Sequence, residues 1–380
     1  MPQLEKPTVV LATGIMNAGG TETLIMECLR HNSGRINYIL LIHFDKKISK
    51  GVFDNEIKDL GIPIYYISSV GSIGVKKYIE EFRKFKQIVG KIDIIHSHLN
   101  GVGGVISFAA KRAGIKHRIC HCHADIHFTG NLKNKLKSEM ILLAYKILIE
   151  KYATQRWACS LEAWKRLYFP WNKKYVIYNM IDTQKYITST EKRYNAKKKF
   201  NFSEKDIILG SVGRVAPIKN YETIIKVLPY INAHFVCFGR WHEKDPYYAY
   251  LKRIAQDMNV CNKIHWMGNS NNIKDDIHCI DIFVMPSYTE GFGMAAIEAQ
   301  AASIPCLLSN GIPKIVDMGL GLVSFINPNN IQDWIDAIRK INKFEIIDSQ
   351  NILNSFKEKK FESKSSVIEI ENKYIDLLES

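Results

Sequence analysis

The sequence lacks the features that mark a membrane-spanning or exported protein. No apolar run approaches the ~20 residues that a helix needs to cross a bilayer, and the nearest one, from Met140 to Tyr145, is followed at once by Lys146. The amino end leads directly into a strand-like segment rather than a signal peptide. The eight cysteines show no disulfide spacing, as is typical of a reducing compartment. These absences predict a cytoplasmic protein.

Signatures of two large ligand classes are missing as well. The sequence has no zinc-finger spacing and no RNA-binding signature, so nucleic acid is not an expected partner. The glycines from Gly14 to Gly20 lack the G-x-G-x-x-G spacing of a dinucleotide site, which argues against a nicotinamide oxidoreductase. The net charge of +14 nevertheless favours anionic partners. Phosphorylated substrates or an anionic membrane surface fit that charge better.

Strand-like and helix-like segments alternate along the 380 residues, seven strands in the first half and six in the second. Such alternation predicts α/β folding with parallel, doubly wound sheets, and the length predicts two domains. A polar, lysine-rich segment, 183–204, separates the halves. We therefore expect one Rossmann-like domain over 1–185, a second over 186–364, and a final helix over 365–380 that crosses back to the first domain.

One stretch of the second half combines a strand, a glycine turn and a helix. Ile280 to Met285 is apolar and partly β-branched, which is typical of a buried parallel strand. Gly291 and Gly293 form a turn that lets the backbone approach a ligand closely, and the next eight residues favour a helix. The free N–H groups at the start of such a helix suit a phosphate.

Two carboxylates, Glu290 and Glu298, flank this turn. An acidic group beside a phosphate site is better suited to accept hydrogen bonds from sugar hydroxyls than to bind the phosphate. The pattern therefore indicates a site for a sugar nucleotide. The alternative is a pair of solvated acids near a helix start, where acidic residues are favoured in any case.

The segment Glu290-Gly-Phe-Gly-x4-Glu298 resembles the E-x7-E signature of family-4 retaining glycosyltransferases, which have the GT-B fold. The flanking segments, 281–287 and 298–310, resemble those of bacterial capsular and exopolysaccharide transferases. Ser303 departs from the pattern, because the family usually has glycine there. We expect that change to weaken the helix stop slightly and to leave the site intact.

The resemblance implies two Rossmann-like domains that face each other across a cleft, the first binding the acceptor and the second a nucleotide sugar, expected to be a UDP-sugar. The donor-binding residues that it implies are Gly19, Gly20, Gly213, Arg214, Lys219, Gly291, Phe292, Gly293 and Glu298. It assigns the sugar hydroxyls to Glu290 as a catalytic residue. From spacing alone, Arg214 and Lys219 could either clamp a diphosphate or be solvated loop cations.

A histidine-rich run, 117–127, with His96 and His98 upstream, allows three interpretations. A zinc site is not predicted, because His121 and His123 of one strand face one side, whereas Cys120 and Cys122 face the other. The cysteines are expected to be core residues. The family places a histidine after this strand, facing the donor sugar, and the resemblance makes His123 the better match for this second catalytic residue and His121 the next.

The resemblance as a whole implies a retaining transferase without metal or cofactor, which moves a sugar to a saccharide or lipid-linked oligosaccharide in surface polysaccharide biosynthesis. A sugar-nucleotide 2-epimerase on the same fold and a non-catalytic two-lobed binding protein are the alternatives. Lys133, Lys135 and Lys137 before an apolar stretch indicate either a patch that rests on an anionic membrane, making the protein peripheral there, or an ordinary surface helix.

Overall fold

The computed structural model describes residues 6–17, 19–45, 47, 50–123, 132–341 and 344–379. The chain forms two compact units, residues 1–181 with 360–380 and residues 182–359. These divisions lie a few residues from the boundaries expected from the sequence. The reason is local: Ile181 pairs with Glu362 in a parallel β-bridge within the first unit.

All pairings between the strands of the described residues are parallel. The first unit has a seven-stranded sheet of order β3-β2-β1-β4-β5-β6-β7, and the second a six-stranded sheet of order β10-β9-β8-β11-β12-β13. The strands are β1 (Thr8–Thr13), β2 (Asn37–Phe44), β3 (Ile64–Ser68), β4 (Ile94–Ser97), β5 (His117–Cys122), β6 (Gln155–Ala158), β7 (Tyr175–Val176), β8 (Ile208–Val212), β9 (His234–Phe238), β10 (Ile264–Gly268), β11 (Ile282–Met285), β12 (Cys306–Ser309) and β13 (Val323–Ile326).

Helices follow most strands, as a parallel sheet requires. They are α1 (Gly20–Arg30), α2 (Asp54–Asp59), α3 (Val70–Val89), α4 (Gly103–Arg112), α5 (Leu132–Tyr152), α6 (Leu161–Leu167), α7 (Thr183–Tyr186), α8 (Thr190–Lys199), α9 (Tyr221–Val227), α10 (Pro246–Asp257), α11 (Ile273–Asp276), α12 (Met294–Ala301), α13 (Ile331–Lys340), α14 (Ser349–Glu358) and α15 (Ser363–Glu379). Among the described residues, no helix is long and apolar enough to cross a membrane. The predicted α/β architecture with two parallel sheets is confirmed.

The sheet of the first unit is covered on both faces. One face packs the apolar side chains of β1 and β2 against α1 and α15, with Val367, Ile370 and Tyr374 of α15 fully or almost fully buried. The other face packs against α3 and α4 through residues such as Phe82 and Ile106. Burial on both faces explains why the central strands read as continuous apolar runs rather than as alternating ones.

Strand order determines where a ligand site can form. In an open parallel sheet, ligands bind beyond the carboxyl ends of the strands at the point where the order reverses direction. In the second unit, this point lies between β8 and β11, so that the loops 213–220 and 286–293 both emerge there. In the first unit, it lies between β1 and β4.

Ser303 ends α12 in the left-handed conformation, with φ of 60°. A serine is strained there, and a glycine would not be. Its buried hydroxyl oxygen accepts a hydrogen bond of 3.2 Å from the Ile347 N–H. That bond offsets part of the backbone cost, and α12 ends at Ala301, just before Ser303.

Candidate functional site

Hydrogen bonds of the backbone and of one buried side chain join the two loops at the switch point of the second unit. The Tyr288 N–H donates to the Ile218 carbonyl over 2.9 Å. Asn220 has a left-handed backbone, with φ of 53°, and its side-chain amide donates to the Pro286 carbonyl over 3.1 Å. Asparagine tolerates this backbone conformation better than most residues do. The two loops are therefore held together independently of any ligand.

The consequence is an ion pair between residues 71 positions apart. Lys219 Nζ lies 2.6 Å from Glu290 Oε1, and the same oxygen accepts a 2.6 Å hydrogen bond from the Ser287 hydroxyl. The two charged side chains are only 18% and 14% exposed. Charge-assisted hydrogen bonds in such partly buried positions are short and strong. The structure therefore brings together two of the residues predicted for the site.

Glycines lie on both sides of this pair, where there is little space for a side chain. Gly293 has φ of 97°, and a β-carbon there would lie 3.3 Å from Ile312 Cγ2. A β-carbon on Gly213 would lie 3.3 Å from Lys219 Cε and 3.2 Å from the Tyr221 hydroxyl. A side chain at either position would therefore crowd the loop that carries the cation or the turn that starts α12.

The start of α12 offers backbone donors. Gly293 is its N-cap and has no side chain with which to cap the first N–H groups. These groups suit an anion. Phe292 is buried beside this turn, whereas Gly291 and Arg214 are exposed. Because Arg214 is exposed, its side chain can turn toward an anion without losing buried contacts.

Glu298 lies about one turn into α12 and is half-buried. Burial raises the pKa of its carboxyl group to about 7, against the opposite effect of a hydrogen bond from Tyr186. Tyr186 is on the short helix α7 of the same unit. Ionising a buried carboxyl group costs free energy when few hydrogen bonds are donated to it. Each hydroxyl that donates to the carboxylate lowers this cost, because it favours the charged form.

Gly19 and Gly20 belong to the first unit, where the loop after β1 enters α1. Gly19 is the N-cap of that helix, and a β-carbon on Gly20 would lie 3.3 Å from the Asn179 side-chain nitrogen. Glu22 follows in the first turn, and burial raises its pKa. These positions lie at the switch point of the first sheet. Their contact with a donor stays a prediction.

The predicted histidine lies at the carboxyl end of β5. His123 is half-buried, its N–H donates to the Asn100 side-chain oxygen over 2.7 Å, and its Nε2 lies 2.8 Å from His98 Nδ1. Burial lowers the pKa of His123 to about 3, so that the ring is neutral at physiological pH. Asp125 and His127 of the same run lie outside the described residues. His121, two residues earlier in β5, is fully buried.

A family comparison identifies the second unit. Residues 192–360 match the model described as Glycosyl transferases group 1. This region is a group 1 glycosyltransferase domain. It contains the ion pair of Lys219 with Glu290, the glycine turn and Glu298. The resemblance that the sequence predicted is confirmed for this domain.

Relatives extend the likeness beyond the glycosyltransferase domain. Over 333 residues the chain is 27% identical to the putative glycosyltransferase EpsF of Bacillus subtilis, a match that covers 86% of this chain and 85% of the relative. Over 309 residues it is 26% identical to an Escherichia coli UDP-Gal:α-D-GlcNAc-diphosphoundecaprenol α-1,3-galactosyltransferase. This match covers 76% of this chain and 76% of the relative. The crystal structure of Anabaena Alr3699/HepE in complex with UDP aligns with 97% of this chain and 100% of its own, with a TM-score of 0.76 at 17% identity. The predicted GT-B fold class is confirmed.

Three residues of the second unit were not predicted for the site. Ser287 and Asn220 flank predicted residues, and their polar side chains were the available signal. Tyr186 gave none, because it lies at the start of the polar segment that reads as a linker. Its hydrogen bond to Glu298 depends on the packing of α7 against α12, which only the structure shows.

A second feature lies on the first unit, along α5. Its large exposed apolar side chains include Leu136, Met140, Leu143 and Ile147, which are 51–72% exposed. Spacings of four, three and four residues place them on one helix face. Lys133, Lys135 and Lys137 are exposed at the start of the same helix. The helix thus presents an apolar stripe next to cationic side chains.

Proposed function

We propose that this glycosyltransferase is a retaining, metal-independent hexosyltransferase of surface polysaccharide biosynthesis that takes a UDP-sugar as donor. The observation that carries the proposal is the ion pair of Lys219 with Glu290, located beside the uncapped start of α12 at a switch point. A cation, free N–H groups and carboxylates in one place suit a nucleotide diphosphate that carries a sugar. The relatives named for UDP and UDP-Gal support the choice of nucleotide.

Each group has a role in this proposal. The N–H groups of α12, together with Lys219 and Arg214, bind the diphosphate and stabilise its charge as it departs. Glu298 accepts hydrogen bonds from the ribose hydroxyls. Glu290 accepts hydrogen bonds from the sugar and orients its anomeric carbon, while His123 of the first unit contacts the sugar as a neutral imidazole.

The bond changes balance without an enzymic nucleophile. The bond from the anomeric carbon to the phosphate oxygen breaks, and the electron pair leaves with the diphosphate. The acceptor oxygen forms its new bond on the same face, and its proton moves to a phosphate oxygen of the leaving group. Two cationic side chains neutralise much of the charge that a divalent metal would otherwise neutralise, which is why we propose metal independence.

The acceptor is proposed to be a saccharide or a lipid-linked oligosaccharide bound by the first unit, in a cytoplasmic enzyme that rests on the inner face of the membrane. The Escherichia coli relative named for a diphosphoundecaprenol-linked sugar supports this acceptor class. The apolar stripe and lysines of α5 support the membrane contact, since a helix with such a face lies in the interface plane.

The decisive experiment uses a panel of nucleotide sugars. A donor at about 100 times its dissociation constant should stabilise the enzyme by about 2.7 kcal/mol, which a thermal-shift assay detects. The donor so identified is then incubated with and without a diphosphate-linked lipid acceptor. Sugar transfer only with acceptor, with the anomeric configuration kept, supports the proposal. Release of an epimerised sugar without acceptor would instead support a 2-epimerase, and binding without turnover a non-catalytic protein.

A further inference from the structure

Four histidines of the first unit form one cluster at the carboxyl ends of β4 and β5. His96 and His98 follow one another at alternate positions along the first strand, and His121 and His123 do so along the second. Alternate residues of a strand project from the same face of a sheet. The register pairs Ser97 with Cys120, so that His98 comes level with His121. All four rings therefore meet on one face.

The ring positions agree with this register. The centroids of His96 and His121 are 5.2 Å apart, with the rings nearly parallel, and those of His121 and His123 are 4.1 Å apart. His96, His98 and His121 are each at most 3% exposed. Four imidazoles in contact, three of them almost fully buried, call for a specific explanation, because buried polar groups are normally hydrogen-bonded.

Among the described residues, three ring nitrogens of the cluster have no hydrogen-bond partner. His96 Nδ1 lies 2.6 Å from the Tyr374 hydroxyl and its Nε2 lies 3.1 Å from His121 Nδ1. His98 Nδ1 lies 2.8 Å from His123 Nε2. The nitrogens left over are His98 Nε2, His121 Nε2 and His123 Nδ1, all buried and without a partner among the described residues.

No choice of histidine tautomers pairs all three of these nitrogens within the cluster. A neutral imidazole has one N–H and one lone pair. In the pair of His98 with His123, one hydrogen bond uses one N–H and one lone pair, so that one of each remains. The nitrogen left on His121 is either a donor or an acceptor, and in neither case does a described residue pair with it. Within the part of the chain that the structure describes, these atoms are therefore available to an additional group.

Ligand chemistry indicates what that group is. Each neutral imidazole has one ring nitrogen with a lone pair, and the four rings lie together on one face. Cys120 and Cys122 project from the opposite face. A donor set of neutral imidazoles suits first-row transition ions such as Zn²⁺ rather than Mg²⁺ or Ca²⁺, which prefer oxygen.

The geometry is close to that of such a site. One ring nitrogen from each of His96, His98 and His121 lies within 4.8 Å of the other two. Zinc–nitrogen bonds of about 2.0–2.1 Å place the nitrogens on one tetrahedral ion roughly 3.4 Å apart. The 3.1 Å between His96 Nε2 and His121 Nδ1 is already close to that separation, and an ion between them would replace their hydrogen bond. Of the unpartnered nitrogens, such an ion would engage His98 Nε2. The third ring must approach only a little further.

We propose that His96, His98 and His121 bind one first-row transition ion, with Zn²⁺ as the probe, in the first unit. Tyr374 and His123 are positioning residues. Tyr374 contacts Nδ1 of His96 and leaves Nε2 for the ion, and His123 contacts Nδ1 of His98 and leaves the unpartnered Nε2. Such outer contacts orient metal-binding histidines. The ion would link the ends of β4 and β5, with Tyr374 of α15 in contact with one of its ligands, and the proposal does not depend on sugar transfer.

The test measures the ion itself. The purified full chain is stripped with chelator, dialysed against Zn²⁺ and analysed for metal content, and Co²⁺ is titrated in parallel because its visible absorption reports tetrahedral nitrogen coordination. We expect one ion per chain in the wild type and none in a His98→Ala/His121→Ala variant. His117→Asn is the matched control, since His117 is a buried histidine at the other end of β5. It should retain the ion.

Two further variants keep the result clear if the double variant does not fold. His98→Gln preserves a polar side chain and should also lose the ion, with circular dichroism checking the fold. Tyr374→Phe should weaken Zn²⁺ binding by about 10-fold or more, as loss of outer contacts does. A wild type that takes up no ion overturns the proposal. So does Zn²⁺ binding that is the same in His98→Gln, or that is lost equally in His117→Asn.

Discussion

Lys219 and Glu290 form an ion pair of 2.6 Å between two loops that lie 71 residues apart in the chain. The cation proposed for the diphosphate and the carboxylate proposed for the sugar therefore neutralise each other before any ligand binds. A donor that binds here has to share Lys219 with Glu290. The two residues form one unit, and changing either changes the surroundings of the other.

Replacing Glu290 by glutamine separates its role from that of Glu298. Glu290→Gln should lower kcat by roughly the 10²-fold typical of misplaced reactants, because the sugar loses a charged orienting group. Binding of the free nucleotide diphosphate should be unchanged or slightly tighter, since Lys219 is released from its ion pair. Steady-state kinetics with the full donor and calorimetry with the diphosphate measure the two effects.

Glu298→Gln is the matched comparison, one glutamate to glutamine change in the same domain. It should weaken diphosphate binding and raise KM while largely sparing kcat, because ribose contacts are alike in the ground and transition states. The opposite pattern in the two variants would mean that the roles are exchanged. If neither change affects binding or rate, the transferase proposal loses its main support.

The stability of the second unit should depend on pH through Glu298. The pKa of Glu298 in the folded protein, about 7, is above the usual 4.5. Its contribution to the free energy of unfolding is therefore complete below pH 4.5 and is lost as the pH rises through 7. This difference corresponds to about 3 kcal/mol. Urea unfolding at pH 5 and pH 8 should show Glu298→Gln gaining stability relative to the wild type at the higher pH. An equal gap at both pH values would contradict the pKa assignment.

Donor turnover should not require an added divalent ion. With Lys219 and Arg214 at the diphosphate, kcat should be the same with excess chelator, with Mg²⁺ or with Mn²⁺. An effect of the histidine cluster can be distinguished in this assay, because imidazole ligands suit Zn²⁺ rather than Mg²⁺. Loss of activity on chelation that Mg²⁺ or Mn²⁺ restores would refute metal independence. Restoration by Zn²⁺ alone would point to the cluster of the first unit instead.

Reversing the lysines of α5 should reduce membrane binding. The triple change of Lys133, Lys135 and Lys137 to Glu should weaken sedimentation with anionic liposomes, since each surface lysine adds about 1 kcal/mol and salt screens it. The control is the same charge change on α3 at the exposed Lys76, Lys77 and Lys84. Unchanged binding in the α5 variant, or equal loss in both, would show that α5 is only a solvated helix.

The local succession of elements was predictable, because strand, glycine loop and helix each have a composition of their own. Both the number of strands in each half and the turn from Gly291 to Gly293 follow from it. Contacts between loops were not predictable in this way. Lys219 reaches Glu290 because β8 lies next to β11, and the distance along the chain gives no sign of that neighbour.

The histidine cluster shows the same limit. The sequence places His121 and His123 on one face of a single strand, and on that basis one strand alone cannot surround an ion. The structure adds His96 and His98 from β4, which pairs with β5. A prediction from one strand at a time therefore underestimates what two adjacent strands can form together.

The β-bridge between Ile181 and Glu362 has a consequence for the order of synthesis. The first unit starts the chain but needs α15, whose Tyr374 is buried in its core and whose Glu371 accepts a 3.0 Å hydrogen bond from the Ser33 N–H. The second unit is continuous in sequence and is translated before α15. On the ribosome, the second unit can therefore finish folding before the first unit does. Most of the first unit is translated earlier, but its core is incomplete until α15 has been synthesised.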